Sequence, residues 1–164
     1  MKLSLCVDSP EDSSGEGDCT IFDFSGIEKI LEGELEKFYP DSTKFENVEI
    51  SISFVKPDYI RELNRNYRNV DEATDVLSFP MIEDEAVEIP ELPVLSLGDI
   101  IICPEEVKRL HPEMDFDEAI CLMIAHSFLH LLGFDHDTEE KQIAMWKSQD
   151  EIKEKLITCC RRGK

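Results

Sequence analysis

Three of the chain's 4 histidines crowd into one short stretch, as His126, His130 and His136 of HSFLHLLGFDH. His126 and His130 are four residues apart, so on a helix they stack one turn above the other on a single face. Gly133 follows the last apolar pair, where glycine most easily stops a helix in the left-handed conformation. The chain can then reverse and carry His136 back toward the other two. Three imidazoles converging with one open position describe a catalytic zinc site, with water or substrate as fourth ligand. Asp135 and Asp137 flank His136 and are candidates to orient imidazoles from behind, or are plain loop carboxylates. A zinc peptidase of the HExxH kind carries a glutamate general base directly after the first histidine. Here that position is Ser127, which demotes a peptidase.

A second set of residues suits phosphate. In PDYIRELNRNYR, Arg61, Arg65 and Arg68 fall at i, i+4 and i+7 and share one helical face. Guanidinium forks meet phosphate in two-point contacts that lysine does not make. The plainer alternative is a solvated face paired with Glu62 and other acids. Ile60, Leu63 and Tyr67 occupy a different face, expected to pack on a sheet.

The elements that must position these groups are legible in outline. Residues 2–7 alternate as a short strand, and Ser25 precedes the helical pattern GIEKILEGELEKFY, which stops near Pro40. Residues 47–55 are β-branched and alternate cleanly. Pro57 opens a helix through about Arg68, since proline is well tolerated at a first helical position. Residues 75–79 and 94–103 are further strands. Residues 116–132 are apolar nearly all round, which predicts a helix buried at the centre of the fold. Thr138 opens a last helix with Ile143, Met145, Trp146, Ile152 and Leu156 on its inner face. Interleaved strands and helices predict a mixed sheet covered by helices.

With 164 residues, the chain is expected to be a single domain, 1–164, able to bury roughly 70% of its unfolded surface. Acidic loops are expected at about 8–20 and 83–93, and a frayed tail at 159–164. No apolar run approaches the roughly 18 residues of a spanning helix. The first residues turn acidic before a signal-like apolar stretch develops, so a cytoplasmic location is expected. The 6 cysteines include no CxxC, and Cys6, Cys103 and Cys121 sit in apolar runs as small core residues. With 17 basic against 37 acidic residues the net charge is -20. Such a chain repels bulk polyanions, so contact with nucleic acid requires a local basic patch or a protein partner.

Taken together, ELNRNYRNVDEATDVLSFP, SLGDIIIC and AHSFLHLLGFDHD, in this order, resemble the YbeY family of metal-dependent endoribonucleases over roughly residues 47–146. The resemblance implies an α+β fold similar to zinc metalloproteases, with the metal-binding helix behind a small sheet. It implies one Zn2+ per chain on His126, His130 and His136, and a functional arginine at Arg68; Arg61 and Arg65 are RNA-binding candidates from the shared helical face alone. The expected activity is single-strand-specific hydrolysis of ribosomal RNA phosphodiesters during rRNA maturation. In it, His126 and Arg68 serve the reacting phosphate, and Arg68 stabilises transition-state charge. Ribosomal particles or ribosomal proteins are the expected partners. The alternatives are a non-catalytic ribosome-assembly factor with a structural zinc, and a zinc peptidase. The family usually has Gly, Pro and Tyr where this chain has Ser127, Ala73 and Phe134.

Overall fold

The computed structural model describes residues 1–8, 22–81 and 94–162. The elements are β1 (Lys2–Asp8), α1 (Phe24–Phe38), β2 (Asn47–Phe54), α2 (Pro57–Arg68), β3 (Val76–Pro80), β4 (Val94–Ile102), α3 (Pro104–Leu110), α4 (Phe116–Leu131) and α5 (Glu139–Arg162), with a 3-10 turn at Pro40–Lys44. The four strands form one sheet in the order β1-β2-β4-β3. β1, β2 and β4 run parallel, and β3 pairs antiparallel with β4, placing Val76 opposite Ile102. This is the expected mixed sheet covered by helices.

Alternation along the strands divides the apolar residues between two faces. Val48, Ile50, Ile52, Ile100 and Ile102 join the main core beneath α1, α4 and α5. Ile101 and Cys103 point the other way and meet Leu77 and Ile60, so α2 covers the opposite face at the β3–β4 end. α4 is apolar nearly all round because most of it is covered, packing on β3, β4, α3 and α5.

Both sheet edges are guarded against further pairing. The outer N–H groups of Leu3 and Leu5 in β1 donate to Glu32 and Glu28 of α1, each at 2.9 Å. At the other edge, β3 ends in Pro80, which has no N–H to offer.

One glycine is demanded by close approach. The register between β2 and β4 shifts past Leu97, and Gly98 absorbs the irregularity at φ +139°. A Cβ there would lie 2.2 Å from the Phe79 carbonyl oxygen of β3. Gly98→Ala is therefore expected to destabilise the fold by about 2–4 kcal/mol, read as a lower urea midpoint at unchanged slope.

Several expectations are corrected. α1 does not begin after Ser25 but at Phe24, capped by Asp23, whose carboxylate accepts the Gly26 N–H at 3.1 Å. In α5, Met145, Ile152 and Leu156 are buried, but Ile143 and Trp146 are exposed, because they lie off the seam that meets α4. Tyr67 is exposed as well, although it shares its face of α2 with buried Ile60. Cys6 is exposed on β1, whereas Cys103 and Cys121 are buried as expected. α5 continues past 159 to Arg162, and Cys160 is buried with its Sγ 3.8 Å from that of Cys121. α3 is an element the sequence pattern missed. Apart from Asp8, the last residue of β1, the acidic loops at about 8–20 and 83–93 lie outside the described residues. No helix among the described residues is long and apolar enough to cross a membrane.

Candidate metal centre

The three histidines converge. α4 presents His126 and His130 from its least covered side, and the helix ends in a tight reversal. Gly133 adopts φ +91°, its N–H bonds the His130 carbonyl at 3.0 Å, and the Phe134 N–H bonds the Leu129 carbonyl at 3.0 Å. That reversal returns the exposed His136 to the other two, so that one nitrogen from each ring lies within 4.8 Å of the others. The rings line an open cavity of about 470 Å³ whose walls include Arg68, Val76, Ser78, Pro80, Phe134 and Asp135.

The far side of each ring determines what it presents to the cavity. His130 Nδ1 lies 2.9 Å from the Phe134 carbonyl, which only accepts, so Nδ1 carries the proton. His126 Nδ1 lies 2.8 Å from Gln149 Oε1 on α5 and donates in the same way. Both rings then aim Nε2 lone pairs inward, and these two nitrogens are 3.0 Å apart. Facing lone pairs repel unless a cation takes both, so the donor set fits a transition ion that accepts neutral imidazole.

Gln149 is a site residue that sequence reading missed. It occupies the α5 seam between Met145 and Ile152, and a polar side chain at a seam position was the available signal. Gln149→Ala leaves the His126 ring free to turn and is expected to weaken metal affinity about 10- to 100-fold, measured by competition with a chelator. Asp135 and Asp137 do not orient the imidazoles: Asp135 accepts the His136 backbone N–H at 2.7 Å, and Asp137 pairs with Lys141 at 3.3 Å.

Burial lowers the His130 pKa from its usual range, and the neighbouring His126 and His136 lower it further. The unfolded chain then binds a proton at that ring more readily than the folded one does. For metal-stripped protein, this contribution to stability is fully present above about pH 6.5 and declines as pH falls below it. Denaturant midpoints at about pH 7.5 and about pH 5.5 are expected to fall in that order, and less so in His130→Ala.

The arginine stripe separates in three dimensions. Arg68, the last residue of α2, reaches over the free edge of β3; its Nη2 donates to the Ser78 carbonyl at 3.1 Å and its guanidinium lines the cavity. Arg61 is instead held on the surface by Asp71, Nε to Oδ1 at 3.0 Å. That hydrogen bond, with the charge attraction, raises the arginine's pKa and lowers the aspartate's. Arg65 is exposed and does not line the cavity. A shared helical face therefore does not bring the three to one site, because only the end of α2 meets the open sheet edge.

The departures from the family pattern leave the cavity intact. Ser127 is fully buried, faces away from the cavity, and its Oγ has no hydrogen-bond partner among the described residues. Phe134 serves His130 through its backbone carbonyl, which any residue supplies, while its ring packs edge-on against Phe38 at 5.3 Å.

Comparison with known proteins agrees with this arrangement. The chain is 44% identical over 113 residues to the endoribonuclease YbeY of Clostridioides difficile strain 630, covering 68% of this chain and 73% of that protein. It is 37% identical over 165 residues to the endoribonuclease YbeY of Thermoanaerobacter sp. strain X514, covering 94% and 98%. A solution structure of a Thermotoga maritima protein superposes with a TM-score of 0.54 at 25% identity, over 93% of this chain and 89% of that one. The family model described as Endoribonuclease YbeY matches residues 17–157. That match takes in the arginine helix, the edge strand and the histidine helix whose convergence forms the cavity, and the chain belongs to the YbeY endoribonuclease family.

Proposed function

We propose that the chain is a zinc-dependent endoribonuclease that cuts single-stranded RNA, with ribosomal RNA in maturation as its cellular substrate. One observation carries this reading: three inward-facing imidazoles and one arginine, drawn from separate elements, share a single polar cavity. His126, His130 and His136 are the ligands. Three nitrogen donors with an open side suit a catalytic zinc rather than a closed structural one. The ion, when held there, supplies Lewis-acid polarisation of a phosphoryl oxygen.

The chain's own residues do the rest. Gln149 and the Phe134 carbonyl keep both helix imidazoles in the tautomer that faces the cavity. The Arg68 guanidinium carries five N–H donors; its Ser78 bond orients the fork, and the remaining donors meet a phosphate entering the cavity. Charge that builds on that phosphate in the transition state is stabilised by the same fork. A peptide substrate is poorly served. Ser127 stands where a general base would be and is buried away from the cavity, while the Ser78 carbonyl that would pair an added strand already accepts from Arg68.

The net charge of -20 suits a cytoplasmic protein that meets RNA on ribosomal particles, where basic ribosomal proteins offer a complementary surface. The whole chain, 1–164, serves as one domain in this reading. The test uses one RNA, alone and annealed to its complement. Cleavage of the single strand, abolished by a chelator and restored by zinc, is the expected result. A zinc-loaded protein that leaves the single strand intact, or cuts the duplex equally, overturns the proposal.

A further inference from the structure

α2 buries its apolar seam until the sheet runs out. Ile60 is fully buried against Leu77 and Ile101, and Leu63 packs on the same cluster. Tyr67 follows on this face, but β3 is the outermost strand, and the residue overhangs it, 67% exposed. Its ring partner there is Phe79, with centroids 5.4 Å apart and planes at 69°. At that angle Phe79 props the ring without covering it face to face. Met81, next on the same side of the strand, is 57% exposed. The result is an aromatic platform along the open edge of β3.

Position gives this platform its meaning. Phe79 stands between Ser78 and Pro80, which line the histidine cavity from the other side of the strand. Arg68, adjacent to Tyr67, crosses that same edge to reach the cavity. Arg68 and Tyr67 are adjacent in the chain, so a nucleic-acid strand that has its phosphate against Arg68 and leaves the cavity over β3 would pass the Tyr67 ring. A base carries no charge for a cation to hold, and stacking on an aromatic face needs neither charge nor a particular base.

We propose that Tyr67, propped by Phe79, is the stacking platform for the base next to the phosphate held at the histidine cavity. This makes it a positioning residue for single-stranded RNA. The inference rests on the cavity being the RNA-cleaving site, and the experiment separates the two. Steady-state cleavage of a short unstructured RNA with one cut position is measured for the unmodified protein, Tyr67→Ala, Tyr67→Phe and His136→Ala. It is repeated on RNAs lacking one base at a time.

Tyr67→Ala is expected to raise KM about 5- to 100-fold with kcat changed less than about threefold, and Tyr67→Phe to match the unmodified protein. Removing the base at one position beside the cut is expected to raise KM comparably in the unmodified protein and to add nothing in Tyr67→Ala. An unchanged KM in Tyr67→Ala, an equal loss in Tyr67→Phe, or independent effects of ring and base each overturn the stacking role. If Tyr67→Ala is unaffected while His136→Ala loses cleavage, stacking fails and the cavity reading stands. If His136→Ala cleaves normally, the cavity reading fails and takes the proposal with it.

Discussion

His136→Ala is expected to lose its metal while staying folded. The purified unmodified protein should carry near one equivalent of zinc, and the variant should bind about 100- to 1000-fold more weakly, since one of three donors is gone. RNA cleavage should fall with it. The fold should be indifferent, because His136 is exposed, lies beyond the Gly133 reversal and contributes nothing to the core beneath α4. The same substitution at His130 is a less clean test: that ring is half-buried and bonded to Phe134, so its loss disturbs the helix end as well. Elemental analysis of both proteins, purified identically without a metal-binding tag, decides the matter alongside thermal midpoints of the metal-stripped forms. Equal metal content would leave the three imidazoles as structural groups and remove the basis for metal-assisted chemistry.

Arg68→Ala is expected to separate catalysis from metal binding. The guanidinium touches the Ser78 carbonyl and the cavity but bonds none of the imidazoles, so zinc content should be unchanged. Losing a preorganised donor aimed at developing charge costs about 100- to 1000-fold in kcat. Ser78 is buried and its carbonyl loses a part-buried donor, so a stability cost of about 1–3 kcal/mol should accompany the loss of rate. Arg68→Lys should recover only part of the rate, since an ammonium is a point charge without the fork. Arg61→Ala and Arg65→Ala are the internal controls: one cation is neutralised on the surface by Asp71 and the other stands outside the cavity. Each should stay within about threefold of the unmodified rate, as exposed charges generally do. Zinc loss from Arg68→Ala would make that arginine structural; a full-sized loss from Arg61→Ala would mean that the stripe acts as a unit.

The parts of this protein that were legible in advance are those governed by near neighbours in the chain. Two histidines four apart must share a helical face, and a glycine just past the helix must ease its reversal, so the His126, His130 and His136 cluster follows from local geometry. Pro57 and the arginine-rich end delimit α2, and the alternation of β2 announces a strand with one buried face. Where local signals compete, reading is weaker. Asp23 and Ser25 are both good caps, and the aspartate two residues upstream takes the helix. α3, PEEVKRL, is too short to display a period.

What the tertiary structure alone decided is which members of each local set meet. Arg61, Arg65 and Arg68 share a face, yet the place where α2 overruns the edge of β3 selects Arg68 for the cavity and leaves Arg61 to Asp71. The same overhang turns Tyr67 from an expected core residue into an exposed ring. Gln149 stands out in the sequence only as a polar residue on the α5 seam, and what it serves emerges when α5 is laid against α4 and its amide meets His126. The physical reason is common to all three. Helical and strand periodicity specify the direction in which a side chain points, but the register of one element against another specifies what it meets. That register is set by packing between residues far apart in the chain.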